Sequence, residues 1–254
     1  MEINDILQVA AYAGKIMLES GAEAYRVEET MNRICNSFGV EIADSYATPT
    51  VIIASASHKG EVKSLVVRIS NRSVDLQRIH KVNDLSRNIS KNTLTVKKLK
   101  IKLKEIEEEP RYSNKVTILF SAIGAFAFVF LFGGSFKDAI SAFLIGIVVK
   151  YFSIKGEDIG LNSFFISSIC AGILAFLAIV SIKIGLADDM DKVIIGSIML
   201  LVPGLAITNA IRDTVAGDLV SGLARGAEAF LTAIAVAVGT GVVLSFWIGT
   251  FGGI

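Results

Sequence analysis

Charge is scarce in the second half of this chain, and that scarcity excludes most soluble architectures. Of 25 Lys and Arg, 18 fall within residues 1–115, as do 15 of 24 Asp and Glu. The other 139 residues hold only 7 basic and 9 acidic side chains, too few to cover a water-exposed surface. The two parts carry +3 and −2, so neither offers the basic face that a nucleic-acid partner needs. Histidine and cysteine are rarer still. His58 and His80 are the only imidazoles, and neither a metal-ligand spacing nor a Ser-His-Asp or Cys-His arrangement can be drawn. No cofactor and no enzymatic chemistry are therefore expected. Cys35 lies in a predicted helix and Cys170 in an apolar run, which argues against a disulfide between them. Glu2 and Asp5 interrupt the first thirteen residues, so the N-terminus does not read as a signal peptide.

What is present divides into two regions. In residues 1–112, Ile6, Val9, Ala10, Ala13, Ile16 and Met17 recur at helical spacing. Ser20 precedes Glu23 by three, the pattern of a capping box, which predicts a second helix from there to about Phe38, with Gly39 as its stop. Strand-like runs follow at 40–48, 50–57 and 62–70, the last two joined by a turn at 58–61. Helical spacing returns at 74–89, and a lysine-rich, then glutamate-rich amphipathic helix covers 95–109 before Pro110. The expected order is ααβββαα, an N-terminal cytoplasmic α+β domain.

Residues 113–254 hold apolar runs at 116–132, 139–152, 161–182, 193–211 and 230–251, broken by short charged loops. A membrane span needs about 20 apolar residues. Four runs meet that or nearly so, and 139–152 needs its flanks or a locally thin bilayer. Buried helices of a large soluble protein are the alternative, but five consecutive runs without a polar face argue against it. The fold class is thus a membrane protein, the α+β domain followed by an all-α bundle of about five transmembrane helices. Lys97, Lys98, Lys100, Lys102, Lys104, Arg111 and Lys115 precede the first run and place that side in the cytoplasm of a plasma-membrane protein. Five crossings would leave Ile254 outside.

Three stretches could carry function. Pro203 and Gly204 fall near the middle of the fourth run, where proline removes a donor and clashes with the carbonyl of Met199. Such a break makes a half-helix N-terminus that can face an anion, with Thr208 and Asn209 a turn away; a kink that only shapes packing is the alternative. Beyond it come Arg212, Asp213 and Asp218, then Arg225 and Glu228, three apart on one helix face, with Gly222 and Gly226 at a spacing that permits close helix contact. These charges either line a pathway or anchor at the interface. In the α+β region, Glu23, Tyr25, Arg26 and Glu28 could contact a ligand or the membrane region, or form a solvated face, while Glu29 and Arg33 make an i,i+4 pair.

These residues carry a resemblance. Residues 14–30, with Leu18-Glu19-Ser20-Gly21-Ala22-Glu23 and Tyr25-Arg26-Val27-Glu28, resemble the threonine/serine exporter family, as do Thr48-Pro49-Thr50, Arg68-Ile69 and residues 82–87. The likeness resumes at Leu201-Val202-Pro203-Gly204, Ile211-Arg212-Asp213, Gly217-Asp218 and residues 221–229. It implies a proton-driven secondary exporter of small metabolites, hydroxy amino acids in some members and a dicarboxylate such as succinate in others. Full-length members look like two joined pieces. This chain resembles the larger subunit of the split form, which implies a second small multispan subunit as partner beside the lipid bilayer. A membrane-anchored sensor and a hydrolase-like soluble domain are the other readings; a mere anchor would not need five spans and a mid-span Pro-Gly.

Overall fold

The computed structural model describes residues 2–89 and 94–252; Ile254, the end expected outside the membrane, lies beyond the described residues. Ten helices and three strands are found among them, and the chain groups into two compact units. One comprises Met1–Pro110 with Leu205–Gly226, the other Arg111–Gly204 with Ala227–Ile254. A single cut near residue 112 therefore does not describe the grouping, because a later segment returns to the first unit.

The first unit opens with α1 (Ile3–Glu19) and α2 (Ala24–Ser37). Strands β1 (Ile42–Thr48), β2 (Val51–His58) and β3 (Glu61–Arg68) form an antiparallel meander in the order β1-β2-β3. Along β2, Ile52, Ala54 and Ala56 are buried and alternate with more open positions, the period-2 signature of a sheet covered on one face. The covering element is α1, whose Ile6, Ala10, Ala13 and Met17 belong to the same core as Ile52. Two more helices follow, α3 (Leu76–Arg87), capped by Asp75, and α4 (Val96–Glu108), capped by Thr95. Arg33 pairs with Glu29 within α2 and also donates to Asn83 and Ser86 of α3.

The second unit is all helix: α5 (Asn114–Leu131), α6 (Phe136–Asp158), α7 (Ser163–Lys183), α8 (Met190–Ile198) and the later part of α10 (Leu219–Phe251). Small residues fill its interior, with Ala122, Ala125, Ala139 and Ala142 fully buried, while Phe120, Leu131, Phe165, Phe176 and Phe246 face outward. Large apolar groups outside and small ones inside is the packing suited to lipid, where helices gain from close contact and apolar surroundings cost nothing. Among the described residues, α5, α6, α7 and α10 are long and apolar enough to cross a membrane. The run at 139–152 proves to be part of a 23-residue helix, started by a capping box in which Ser135 and Asp138 satisfy each other's backbone amides. The run at 193–211 is not one helix. It ends as α8 at Ile198 and resumes as α9 (Gly204–Ala216), so four continuous helices, rather than five, meet the length. The cause is Pro203, which cannot donate to Met199, and the intervening backbone closes tight turns instead, Leu201 N–H to Ile198 O at 2.8 Å and Gly204 N–H to Val202 O at 2.9 Å. Gly204 ends one unit and Leu205 begins the other, so the break is also where the chain changes units.

Candidate functional site

The site grows from a turn. Helix α1 finishes at Ser20, and Gly21 takes φ +88°, a left-handed conformation that side chains rarely adopt. A Cβ there would also lie 3.1 Å from the Ser73 carbonyl. This reversal displaces the expected capping box. Glu23 becomes the N-cap of α2 without a side-chain cap bond, and Ser20 closes α1. The turn's polar backbone is satisfied from elsewhere.

Helix α9, the turn after it and the first residues of α10 supply the partners, all within the same unit. Asp213 Oδ1 accepts from the Ala24 N–H at 3.1 Å, capping α2 from 189 residues away. A carboxylate at a helix N-terminus is favoured by the unpaired amides and by the helix dipole. Asp213 Oδ2 lies 3.0 Å from Arg225 Nε, and Arg225 Nη2 donates to the Ala22 carbonyl at 2.6 Å. Asn209 Nδ2 donates to the Gly21 carbonyl at 2.8 Å, and Ser221 Oγ to the Ala47 carbonyl at 3.1 Å. Gly222 lets α9 and α10 meet at this elbow: a Cβ there would stand 2.9 Å from Thr214 N and 3.0 Å from the Ala210 carbonyl, whereas Gly226 has only an ordinary contact.

Burial separates two kinds of residue. The Asp213 side chain is 0% exposed and Arg225 8%, so this pair is sealed into the docked elbow. Glu23 is itself nearly as buried, at 9%, but its two partners are not. Its Oε1 accepts from Arg212 Nη1 at 2.7 Å, and its Oε2 lies 3.3 Å from Arg26 Nε. Those guanidinium groups remain open, 56% exposed for Arg212 and 36% for Arg26, and Arg26 also lies over the Tyr25 ring. Burial pushes the Glu23 carboxyl up, but its own backbone amide, the Arg212 hydrogen bond and the charges of Arg26 and Arg212 outweigh that and hold it below the usual carboxylate range. Glu28 goes the other way. Burial raises it, the Ala47 N–H at 2.7 Å works against that, and the charges of Asp218 and Asp213 add to the rise.

A raised Glu28 carboxyl stabilises the fold in its protonated form. That contribution is present below the unfolded value of about 4.3 and disappears as pH rises through the folded value. Glu28→Gln keeps an oxygen for the Ala47 N–H without the charge. The variant is expected to melt at or above the wild-type temperature at neutral pH, with the difference vanishing below about pH 4. Parallel melting curves at every pH would show that Glu28 is not strained by its charge.

The structure thus gathers Glu23, Arg26, Asn209, Arg212, Asp213 and Arg225 at one turn, with Tyr25 beside Arg26 and Glu28 on the neighbouring Ala47 amide. Asp218 caps the elbow from the other side, its N–H donating to the Asp213 carbonyl at 2.8 Å. Pro203 and Gly204 lie at the break, Thr208 sits at an exposed position beside Asn209, and Glu228 follows Arg225 by one turn of α10. Single-site reading passed over Ser221 and the backbone groups of Gly21, Ala22, Ala24 and Ala47. No side-chain signal marks an amide or carbonyl as a docking point.

The sequence matches the family described as "Putative threonine/serine exporter" over residues 8–247, which takes in both the turn and the elbow. The chain belongs to the threonine/serine exporter family. Among similar relatives, the "Probable succinate transporter subunit YjjP" of Klebsiella aerogenes is 23% identical, with 95% of this chain and 92% of that protein aligned. Its Escherichia coli K12 counterpart is 22% identical, covering 95% and 94%. The "Probable threonine/serine exporter" of Mycobacterium tuberculosis is 22% identical over 92% of this chain but 45% of its own length. No solved structure gives a significant match. In this member of the exporter family, two stretches that are distant in sequence form one hydrogen-bonded joint.

Proposed function

We propose that the chain is the exporter component of a proton-driven secondary transporter for small carboxylate-bearing metabolites. These are threonine- or serine-type amino acids or a dicarboxylate such as succinate, moved together with a second small membrane subunit. Family membership supports transport across the plasma membrane, and the word "subunit" in two relatives' names supports a partner. The observation that carries the site is the pair of open guanidinium groups, Arg212 and Arg26, flanking Glu23. A carboxylate is drawn to two cations that each retain free donors. An amino acid's ammonium would then face Glu23, and a dicarboxylate would engage both arginines.

In this reading Glu23, Tyr25, Arg26 and Arg212 receive substrate on the cytoplasmic side. The half-helix N-terminus at Gly204, with Pro203, Thr208 and Asn209, forms a deeper section, and Asp218, Glu228 and Glu28 set the local charge. Asp213 and Arg225 hold the elbow in place. The N-terminus lies in the cytoplasm and the C-terminus outside, as five crossings would place them. Proteoliposomes loaded with labelled threonine, serine or succinate test the whole proposal. Efflux is expected only when the chain and its partner are reconstituted together, and a rate indifferent to the partner would sink the two-component reading. Arg212→Gln removes one charged donor at an exposed position, which corresponds to about 1.5 kcal/mol and a roughly tenfold higher half-saturating substrate concentration. Its melting temperature should fall only slightly, because Glu23 keeps its contact with Arg26. Unchanged transport in that variant would remove the guanidinium pair from the pathway.

A further inference from the structure

Helix α4 packs on α1 through Val96, Leu99 and Leu103, and the outer side of its first two turns is crowded with lysines before the glutamates at 105, 107 and 108. Lys97, Lys98, Lys100, Lys102 and Lys104 are all exposed, with the large apolar side chain of Ile101 exposed among them. Among the described residues only Lys104 of these five is in an ion pair, with Glu108 at 3.4 Å. Beside this face, α1 and α4 leave a cleft of about 800 Å³. Val9 and Tyr12 line its floor, Lys97, Lys100 and Lys104 one wall, and Asp5 also lines it. The three lysines recur at helical spacing and extend over about 10 Å of helix. In the chain, only residues 109–113 separate α4 from α5, the first helix long enough to cross a membrane, so the lysines are a juxtamembrane basic segment in sequence.

We propose that the cleft between α1 and α4 binds the headgroup of an anionic phospholipid of the adjoining leaflet. The lysine wall meets the phosphate and offsets its negative charge, and the apolar floor of Val9 and the Tyr12 ring meets the glycerol and upper acyl region. Lysine suits this role because its stem lies along apolar surface while its ammonium stays at the polar boundary. A basic segment next to a span draws anionic lipid by about fivefold per lysine, so the three together amount to roughly a hundredfold preference over a zwitterionic headgroup. A small dissolved dianion is the poorer fit, since it would meet one or two of the lysines and none of the apolar floor.

The test uses the full chain in nanodiscs of phosphatidylcholine alone or mixed with phosphatidylglycerol. Amine-reactive labelling, read lysine by lysine by mass spectrometry, should slow several-fold at Lys97, Lys100 and Lys104 in the anionic discs. Lys63, on β3, should label at one rate in both. The protection should fade in 1 M salt, where the screening length falls to about 3 Å. In native mass spectra, the wild-type chain should retain phosphatidylglycerol, and the variant K97Q/K100Q/K104Q should lose it; lysine-to-arginine replacement should preserve it. Equal labelling in the two disc types would overturn the proposal. So would equal lipid retention by the glutamine variant, or protection by inorganic phosphate alone in phosphatidylcholine discs.

Discussion

Arg225→Met is expected to destabilise the first unit by about 3–5 kcal/mol, because it strands a fully buried carboxylate. Asp213 has no exposed surface, and its Oδ2 faces the Arg225 guanidinium at 3.0 Å. Without that cation the carboxylate must either take a proton or admit water, and the Ala22 carbonyl loses its donor as well. The damage should appear first at the α1–α2 turn. Hydrogen exchange of the Ala24 amide, which Asp213 accepts, should accelerate well before the rest of α2 opens. The double variant Asp213→Asn/Arg225→Met removes both charges and keeps an oxygen for Ala24. It should recover most of the loss, since replacing a whole buried pair with uncharged groups costs far less than halving it. If Arg225→Met melts like wild type, the pair is open to solvent and the elbow is not docked as described.

Asp138→Ala should cost a comparable amount, and here no apolar double variant can rescue it. Asp138 is 1% exposed and accepts three backbone amides: Ser135 at 2.8 Å through Oδ2, and Asp188 and Asp189 at 2.8 and 2.9 Å through Oδ1. Those bonds tie the loop before α6 to the loop before α8. Hydrogen bonds to a charged acceptor contribute about 1.5–3 kcal/mol each, and the alanine variant leaves three donors to find water. A loss of about 3–5 kcal/mol in detergent-micelle unfolding is expected, with Asp138→Asn intermediate because it retains one good acceptor. The exposed Lys137–Asp188 pair at 3.0 Å in the same loops should matter little when broken, as solvent-screened pairs do. Equal effects of Lys137→Ala and Asp138→Ala would show that the loops are held by charge alone.

The two variants also separate what local pattern can and cannot reveal. Asp138 follows Ser135 by three at the start of an apolar run, so half of its role, the capping box, was readable; its hold on Asp188 and Asp189 was not. Ser20 and Glu23 show the same motif misleading. The spacing is right, but Gly21 turns the backbone left-handed between them, and the cap on α2 comes from Asp213. The Glu29–Arg33 pair, four apart on one helix, was legible for the opposite reason, since both partners lie on one turn of one element.

By itself the sequence determined the membrane class, because 139 residues with 16 charges cannot face water. It also determined the interruption after α8, because Pro203 lacks a donor wherever its helix lies, and the lysine face of α4, because helical periodicity assigns sides without reference to neighbours. Only the tertiary structure decided that Leu205–Gly226 joins the N-terminal elements, that Arg225 holds Asp213, and that Arg212 and Arg26 converge on Glu23. Period and spacing describe which residues share a face over a few turns. They carry no information about a partner 189 residues away whose acceptor or donor is a backbone group that every residue possesses.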